Sequence, residues 1–370
     1  YFECPICHFK YVDEKRKRSW ITKYRYKIFK LLEDESKKYL ENKDEGILTF
    51  IEDALNYYSL NYDKFAFHDK SGETFDTINT SNKCGRIMAQ GLNEAIISIQ
   101  VVHCINNIST YLDDETKRNV FNLLFPKIYE LLKPQIHKIH NICCYEICAI
   151  AMMGIISNNE EMLKFAFHSP YSFYNQLDKG ITKDYFWFEG SFHYHFFDLK
   201  PILEFFKFAK EYDFSILEKY YNVGKMMLIQ GFKCSFNDCS LPSPNDGWPN
   251  KNLFDYIEVY NLGNEIFKGE FSNVIEFITS KINKGGTIHF IETGFSILKN
   301  KYWNIFIKYK DNDINHAHPD KLNIEIKNNY HFLTHDLSTS GYGSNISKDF
   351  YKKSYSHNTI VIDGKNQNLE

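Results

Sequence analysis

The sequence has no excess of charge of one sign. Lys and Arg number 44 against 47 Asp and Glu, a formal net charge of −3 over 370 residues. Without a basic field, nucleic acid is excluded as a leading partner, and a polyanionic ligand must be met by local Lys, Arg or metal charge. The chain also lacks a long apolar run. Its most apolar stretch, ICCYEICAIAMMGII (142–156), is too short to cross a bilayer and contains Glu146. It reads as a buried core helix, and no membrane span is expected. The stretch that begins at Tyr1 does not read as a signal peptide. The nine cysteines are an odd number without a small-domain disulfide pattern. Cys143, Cys144 and Cys148 read as core thiols. Cys4 and Cys7 (CPIC) form half of a zinc-ribbon signature. Cys234 and Cys239 (CSFNDC) would have to fold back to complete it, because a closed structural site takes four ligands.

What is present is globular: 43% hydrophobic and 25% charged residues, on a length that suits two or three domains. The aromatic share of 17% suits stacking surfaces for sugars, although AT-rich codon usage raises Phe and Tyr equally well. Residues 20 to about 270 read as amphipathic helices without a fixed repeat, which pack naturally as successive antiparallel hairpins. GFKCSFNDCSLPSPNDGWPNKN (231–252) is dense in Pro, Gly, Asn and Asp and reads as a long loop with function. From about 285 the period changes to two. GGTIHFIETGFSILKN, YWNIFIKYK, KLNIEIKNN, YHFLTHDL and HNTIVIDG read as strands of an antiparallel β domain, left incomplete where the chain stops. The expected organisation is an N-terminal segment 1–19, a helical domain 20–283 and a β-sheet domain 284–370.

Three constellations carry chemistry. In NHAHPDKLNIEI (315–326), Leu322, Ile324 and Ile326 alternate with polar residues, and His316, His318 and Asp320 fall in phase with the apolar side. Inward-pointing polar groups need partners, a metal or a substrate. With Asp336 closing one strand and His357 opening another, His318 could complete a two-imidazole, one-carboxylate zinc set. KDYFWFEGSFHYHFFDL (183–199) gathers Glu189, His193, Tyr194 and His195 at a helix entrance, where a tyrosine can serve as acid or base; an aromatic core helix is the plainer reading. In HKIHNICCYEI (137–147), Asn141 heads an apolar helix beside His140 and acts either as a cap or as a ligand donor.

Taken together, the Asn-bearing helix, EGSFHYH (189–195), LPSPNDGWP, HAHPDKLNIEI (316–326) and SHNTIVIDG (356–364) resemble the heparinase II/III-type polysaccharide lyases, from about residue 80 onward. The resemblance implies an α+β multidomain fold, an (α/α) toroid followed by an antiparallel β-sandwich. It implies β-elimination on an acidic polysaccharide or oligosaccharide: a base takes the C5 proton of a uronate, an acid protonates the C4 oxygen, and a donor neutralises the carboxylate. Asn141 matches the carboxylate donor, Tyr194 the catalytic tyrosine and His316 a catalytic or neutralising histidine. His318, Asp336 and His357 match ligands of a structural zinc. Tyr342, in GYG, lies where some members bring another tyrosine to the sugar, and His140, Glu189, Asn245 and Asp246 are the further substrate-binding candidates. One departure is that Ile142, not His, follows Asn141. His195 or His316 must then supply the imidazole, or Tyr194 is both base and acid. Family habit points to the periplasm and to exolytic attack, with free cysteines giving the cytoplasm as alternative; a homo-oligomer is admitted. Two other readings stand beside this one. The first is a toroid glycoside hydrolase using Glu189 with Asp184 or Glu146, and the second is a non-catalytic glycan-binding relative.

Overall fold

The computed structural model describes residues 2–3, 7–78, 84–310, 316–329, 331–342 and 344–368. They fall into two compact units, Tyr1–Gln176 and Leu177–Glu370.

The first unit is helical. Its helices are α1 (Glu14–Asn42), α2 (Glu45–Asn61), α3 (Gly91–Ile108), α4 (Asp114–Asn119), α5 (Phe125–Leu132), α6 (Asn141–Ile156) and α7 (Glu160–His168). Two short hairpins accompany them, β1 (Phe2–Glu3) with β2 (Lys10–Tyr11) and β3 (Phe67–His68) with β4 (Thr74–Phe75). Asp13 starts α1 by accepting from the Arg16 amide at 2.9 Å, and Lys43 ends it in the left-handed region at φ 55°. α1 packs on α3, α3 on α6 and α6 on α7. α6 is buried from Cys143 to Gly154. A helix apolar all round belongs at the centre of a bundle, as the run at 142–156 predicts. Its cap is His140, whose Nδ1 accepts from the Ile142 amide at 3.2 Å. Asn141 is therefore the first helical residue rather than the cap.

The second unit begins within α8 (Phe173–Gly180) and continues through α9 (Phe192–Glu211), α10 (Glu218–Lys233), α11 (Ile257–Ile266) and α12 (Ser272–Thr279). α9 packs against α10 and α11. A five-stranded antiparallel meander follows, in the order β5 (Ile288–Phe290), β6 (Phe295–Lys299), β7 (Trp303–Lys308), β8 (Ile324–Asn328), β9 (Phe332–Thr334). The helices-then-antiparallel-sheet order is the one the periodicity predicts. Two strand readings are corrected. GGTIHFIETGFSILKN is a hairpin, β5–β6, rather than one strand. HNTIVIDG is no strand: His357 follows a 3₁₀ turn, only Ile362 and Lys365 form an isolated bridge, and Ile360 and Ile362 are exposed. It meets β8 at Asn358, whose carbonyl accepts from the Ile324 amide at 3.1 Å.

The phase of β8 is also the reverse of that expected. Asn323, Glu325 and Lys327 are buried, Ile324 and Ile326 are half-buried, and Leu322 is exposed at φ 66°. The buried polar side chains are satisfied one by one. Asn323 Nδ2 donates to Asp336 at 2.6 Å, Glu325 accepts from the Ser243 amide at 2.8 Å and contacts His335 at 2.7 Å, and Lys327 donates to Asp238 at 2.5 Å and Ser240 at 2.7 Å. A polar residue with full partners is buried at little cost, so hydropathy alone misassigns the face.

Close helix approach gives a stability test. A Cβ on Gly231 of α10 would lie 2.8 Å from the Phe196 ring of α9 and 3.2 Å from His195 Nε2. Overpacking costs about 1–3 kcal/mol, so Gly231→Ala should lower the urea midpoint by that equivalent in equilibrium unfolding; an unchanged midpoint would mean the ring swings aside.

Candidate active site

Tyr194 sits in the first turn of α9, after a turn that needs glycine. Gly190 has φ 69°, a left-handed geometry that a Cβ disfavours. Asp184 fixes the start of this segment by accepting from the Thr293 amide at 2.9 Å. The Tyr194 ring is buried and lies against His316, with ring centroids 4.2 Å apart. Its hydroxyl is 2.5 Å from the Tyr342 hydroxyl. Tyr342 exposes most of its ring, while its hydroxyl also reaches His316 Nδ1 at 3.1 Å and Asp246 Oδ2 at 3.2 Å.

Asn245 and Asp246 organise the loops around these groups. Asn245 takes φ 61° and is wholly buried. Its Oδ1 accepts from Lys308 Nζ at 2.5 Å, its Nδ2 donates to the Gly190 carbonyl at 3.2 Å, and its own carbonyl accepts from Ser338 Oγ at 3.1 Å. Asp246 meets His316 Nδ1 at 3.1 Å, His318 Nε2 at 2.9 Å and Lys352 Nζ at 3.2 Å, and its amide donates to the His316 carbonyl at 3.1 Å. Both were expected to touch substrate; the structure shows them bracing the residues that could.

The electrostatics sort acid from anion. Burial raises the Tyr194 phenol well above the usual tyrosine range, the Tyr342 hydrogen bond opposes this, and the charges of Asp246 and Glu189 add to it. Burial likewise raises Tyr342, helped by Tyr194 and Asp246. Both phenols stay protonated at neutral pH. For Asp246, burial pushes upward, but the hydrogen bonds from His316 and His318 and the Lys352 charge hold it well below the carboxylate range, so it is an anion. Glu189 is fully buried, its Oε2 3.9 Å from His316 Nε2.

Of the expected residues, Tyr194, His316, Tyr342, Asp246 and Glu189 are thus brought together. His195 is not. Its Nδ1 accepts from the Trp187 amide at 3.3 Å, its Nε2 donates to the Met227 carbonyl at 3.1 Å, and its ring stacks on Phe186 at 4.1 Å. With both nitrogens committed and no exposure, it is a core brace and not a catalytic imidazole. In the helical unit, Asn141 and His140 are buried at the head of α6, with the His140 amide donating to Gln176 Oε1 at 3.2 Å.

A group of side chains that could hold a cation is also present. Asp320, Asp336 and His357 present ligand atoms within 4.8 Å of one another. His318 Nδ1, His357 Nε2 and Asp320 Oδ2 are buried without a hydrogen-bond partner, which is what a bound cation would satisfy. The His318 and His357 rings are 5.1 Å apart. Asp320, read from the sequence only as inward-facing, stands with the expected Asp336 and His357 in this group, and the His318 ring lies beside His357; Lys308 also bonds Asp320. Lys308 and Lys352 gave no signal in the sequence, since one alternates within a strand and the other sits in an irregular KK pair. Cys4 lies outside the described residues. Cys7 is exposed, whereas Cys234 and Cys239 are buried, with the Cys239 thiol pushed up by burial to about 11.

Residues 284–369 match the family model described as Heparinase II/III-like, C-terminal. That part of the chain is similar to the C-terminal domain of the heparinase II/III-like proteins. An exo-oligoalginate lyase of Saccharophagus degradans is 25% identical over 206 residues, 53% of this chain and 26% of that protein. Among solved structures, a heparinase III gene product superposes with a TM-score of 0.67 at 15% identity, covering 97% of this chain and 58% of that one. The heparan sulfate lyase HepC from Pedobacter heparinus gives 0.63 at 14% identity, covering 91% and 53%. The chain thus spans about a quarter of the curated relative and a little over half of the solved ones. The likeness places it in the expected fold class, a helical toroid followed by an antiparallel sheet domain.

Burial holds the His195 imidazole down to about 4. A histidine that protonates more readily when unfolded loses folding stability as pH falls from its unfolded value near 6.5 toward 4. Acidification from pH 7 to pH 5 should therefore cost about 2 kcal/mol through this residue. His195→Gln should flatten that part of the stability–pH curve, read by urea unfolding at each pH; an unchanged slope would remove the assignment.

Proposed function

We propose that the chain carries the catalytic centre of a polysaccharide lyase that cleaves uronic-acid-containing glycans by β-elimination. The observation that supports it is the cluster Tyr194, Tyr342 and His316 hydrogen-bonded onto the anionic Asp246. Elimination needs a base at C5 and an acid at the C4 oxygen. Tyr194 is the acid: its phenol is kept protonated by burial and its hydroxyl can be passed a proton by Tyr342. His316 is the base: with its Nδ1 proton donated to Asp246, Nε2 carries the lone pair. This resembles the orienting role of the carboxylate in a hydrolytic triad, where it fixes the tautomer without taking the proton. The carboxylate-binding role that the resemblance implies for Asn141 remains part of the proposal.

The substrate we infer is an oligosaccharide of heparin, heparan sulfate or alginate, attacked from its end; the names of the related lyases support that range. A hydrolase is less well supported, because it needs two carboxylates free for the sugar. Asp184 is spent on Thr293, and Asp246 is held by His316, His318, Tyr342 and Lys352. We further propose that the cation site takes zinc through His318, Asp320, Asp336 and His357, a donor set of imidazole nitrogen and carboxylate oxygen that suits it. The ion would tie the 316–320 segment to the loops bearing Asp336 and His357.

Incubation with uronate oligosaccharides should raise ultraviolet absorbance as the conjugated C=C forms. Tyr194→Phe should cut that rate roughly 10²–10⁴-fold, the usual share of acid–base help. New reducing ends without absorbance would instead mean hydrolysis, and full activity in Tyr194→Phe would remove the assigned acid. Chelation should release about one equivalent of zinc by elemental analysis and lower the melting temperature. Protein that holds no metal, with an unmoved melting temperature, would overturn the zinc assignment.

A further inference from the structure

The first unit contains a groove of about 720 Å³, a size that accommodates a ligand of several rings rather than a lone ion. It is lined by Arg18, Lys23 and Arg25 of α1 and by Lys64, Lys70 and Arg86 of the segment between α2 and α3. Six cations thus face one cavity in a chain whose net charge is −3.

The arginines are fixed by backbone carbonyls. Arg18 donates to the Ser71 carbonyl and Arg25 to that of Ile87. Arg86 donates to the carbonyls of Asp63 at 3.0 Å and Phe65 at 2.8 Å, and its guanidinium lies 3.8 Å from the Phe67 ring centroid. Neutral acceptors position a guanidinium without cancelling its charge. The acid in the lining, Asp69, already accepts from the Ser71 amide at 2.8 Å, Ser71 Oγ at 2.6 Å and the Glu73 amide at 3.0 Å. Arg86 has one distant carboxylate, Asp63 at 4.0 Å, which is itself exposed. Among the described residues, Arg18, Lys23, Arg25, Lys64 and Lys70 form no ion pair. Tyr26 and Phe65 supply aromatic wall beside this charge.

Cations and aromatic wall lining one groove match a ligand with repeating negative charges on partly apolar rings. We propose that this groove is a binding site for a stretch of acidic saccharide, sulfated or carboxylated, recognised without chemistry. The choice of a saccharide over other polyanions rests on the lyase reading; the anion preference does not. Lys23, Lys64 and Lys70 are exposed and screened by salt, so they steer the ligand, while the anchored arginines hold it.

The test uses the full chain with Tyr194→Phe to stop turnover, and titration calorimetry with sized heparan sulfate and alginate hexasaccharides at low and physiological salt. Lys23→Glu/Lys70→Glu should weaken binding about tenfold or more and reduce its salt dependence. A control pair on the same unit, Lys37→Glu/Lys164→Glu, should change it little. Comparable losses in both pairs, or none in either, would overturn the proposal. So would a single-stranded DNA oligomer of equal charge that binds as tightly with the same dependence on Lys23 and Lys70. Loss for only one of the two saccharides would identify sulfate or carboxylate as the group recognised. Because the readout is binding, it stands apart from the absorbance assay: a chain without lyase activity can still show the groove, and an active one can lack it.

Discussion

Asp246 is an anion held almost out of water, and the cost of that sets the loops around it. An unpaired buried carboxylate is costly enough that it would take up a proton instead. Here two imidazoles, a phenol and an ammonium surround it, on chain segments at 316–318, 342 and 352. The charge gathers these segments, and their convergence gives His316 and Tyr194 a shared surface. Asn245 does the same for the backbone, joining the turn at Gly190, the end of β7 at Lys308 and the segment at Ser338. Adjacent residues in one loop thereby couple the helix entrance to the sheet.

The same carboxylate links the reactive cluster to the cation site. One oxygen of Asp246 meets His316 and the other meets His318, two residues along. The remaining nitrogen of His318 is buried without a hydrogen-bond partner, and its ring lies 5.1 Å from that of His357. A cation there would hold the His318 ring, and through Asp246 the orientation of the His316 ring follows. Outer-shell partners of this kind commonly matter nearly as much as the ligands.

Much of this was legible in the sequence because it rests on local chemistry. The 3.6-residue period marked the helices, and the change to a period of two marked the sheet. The composition of LPSPNDGWP marked the loop that holds Asn245 and Asp246. EGSFHYH and HAHPD named the right neighbourhoods, yet adjacent residues in one motif part company. Tyr194 reaches the cluster, while His195, one position on, turns about 100° around the helix into the core. Nothing in a linear string says which of two neighbours faces in when both flanks are aromatic. Hydropathy failed on β8 for a related reason. It scores a side chain against water, whereas the burial of Glu325 and Lys327 depends on partners at His335 and, far away in the chain, at Ser243 and Asp238.

That inverted strand has a consequence for anyone altering this protein. By sequence, Glu325 and Lys327 look like free choices on a wet surface, the first positions to recharge for solubility. Removing Glu325 would instead leave the Ser243 amide and the His335 imidazole without their acceptor, one at the edge of the loop that carries Asp246. A change chosen as cosmetic would then reach the reactive groups through the backbone, two residues from Asn245.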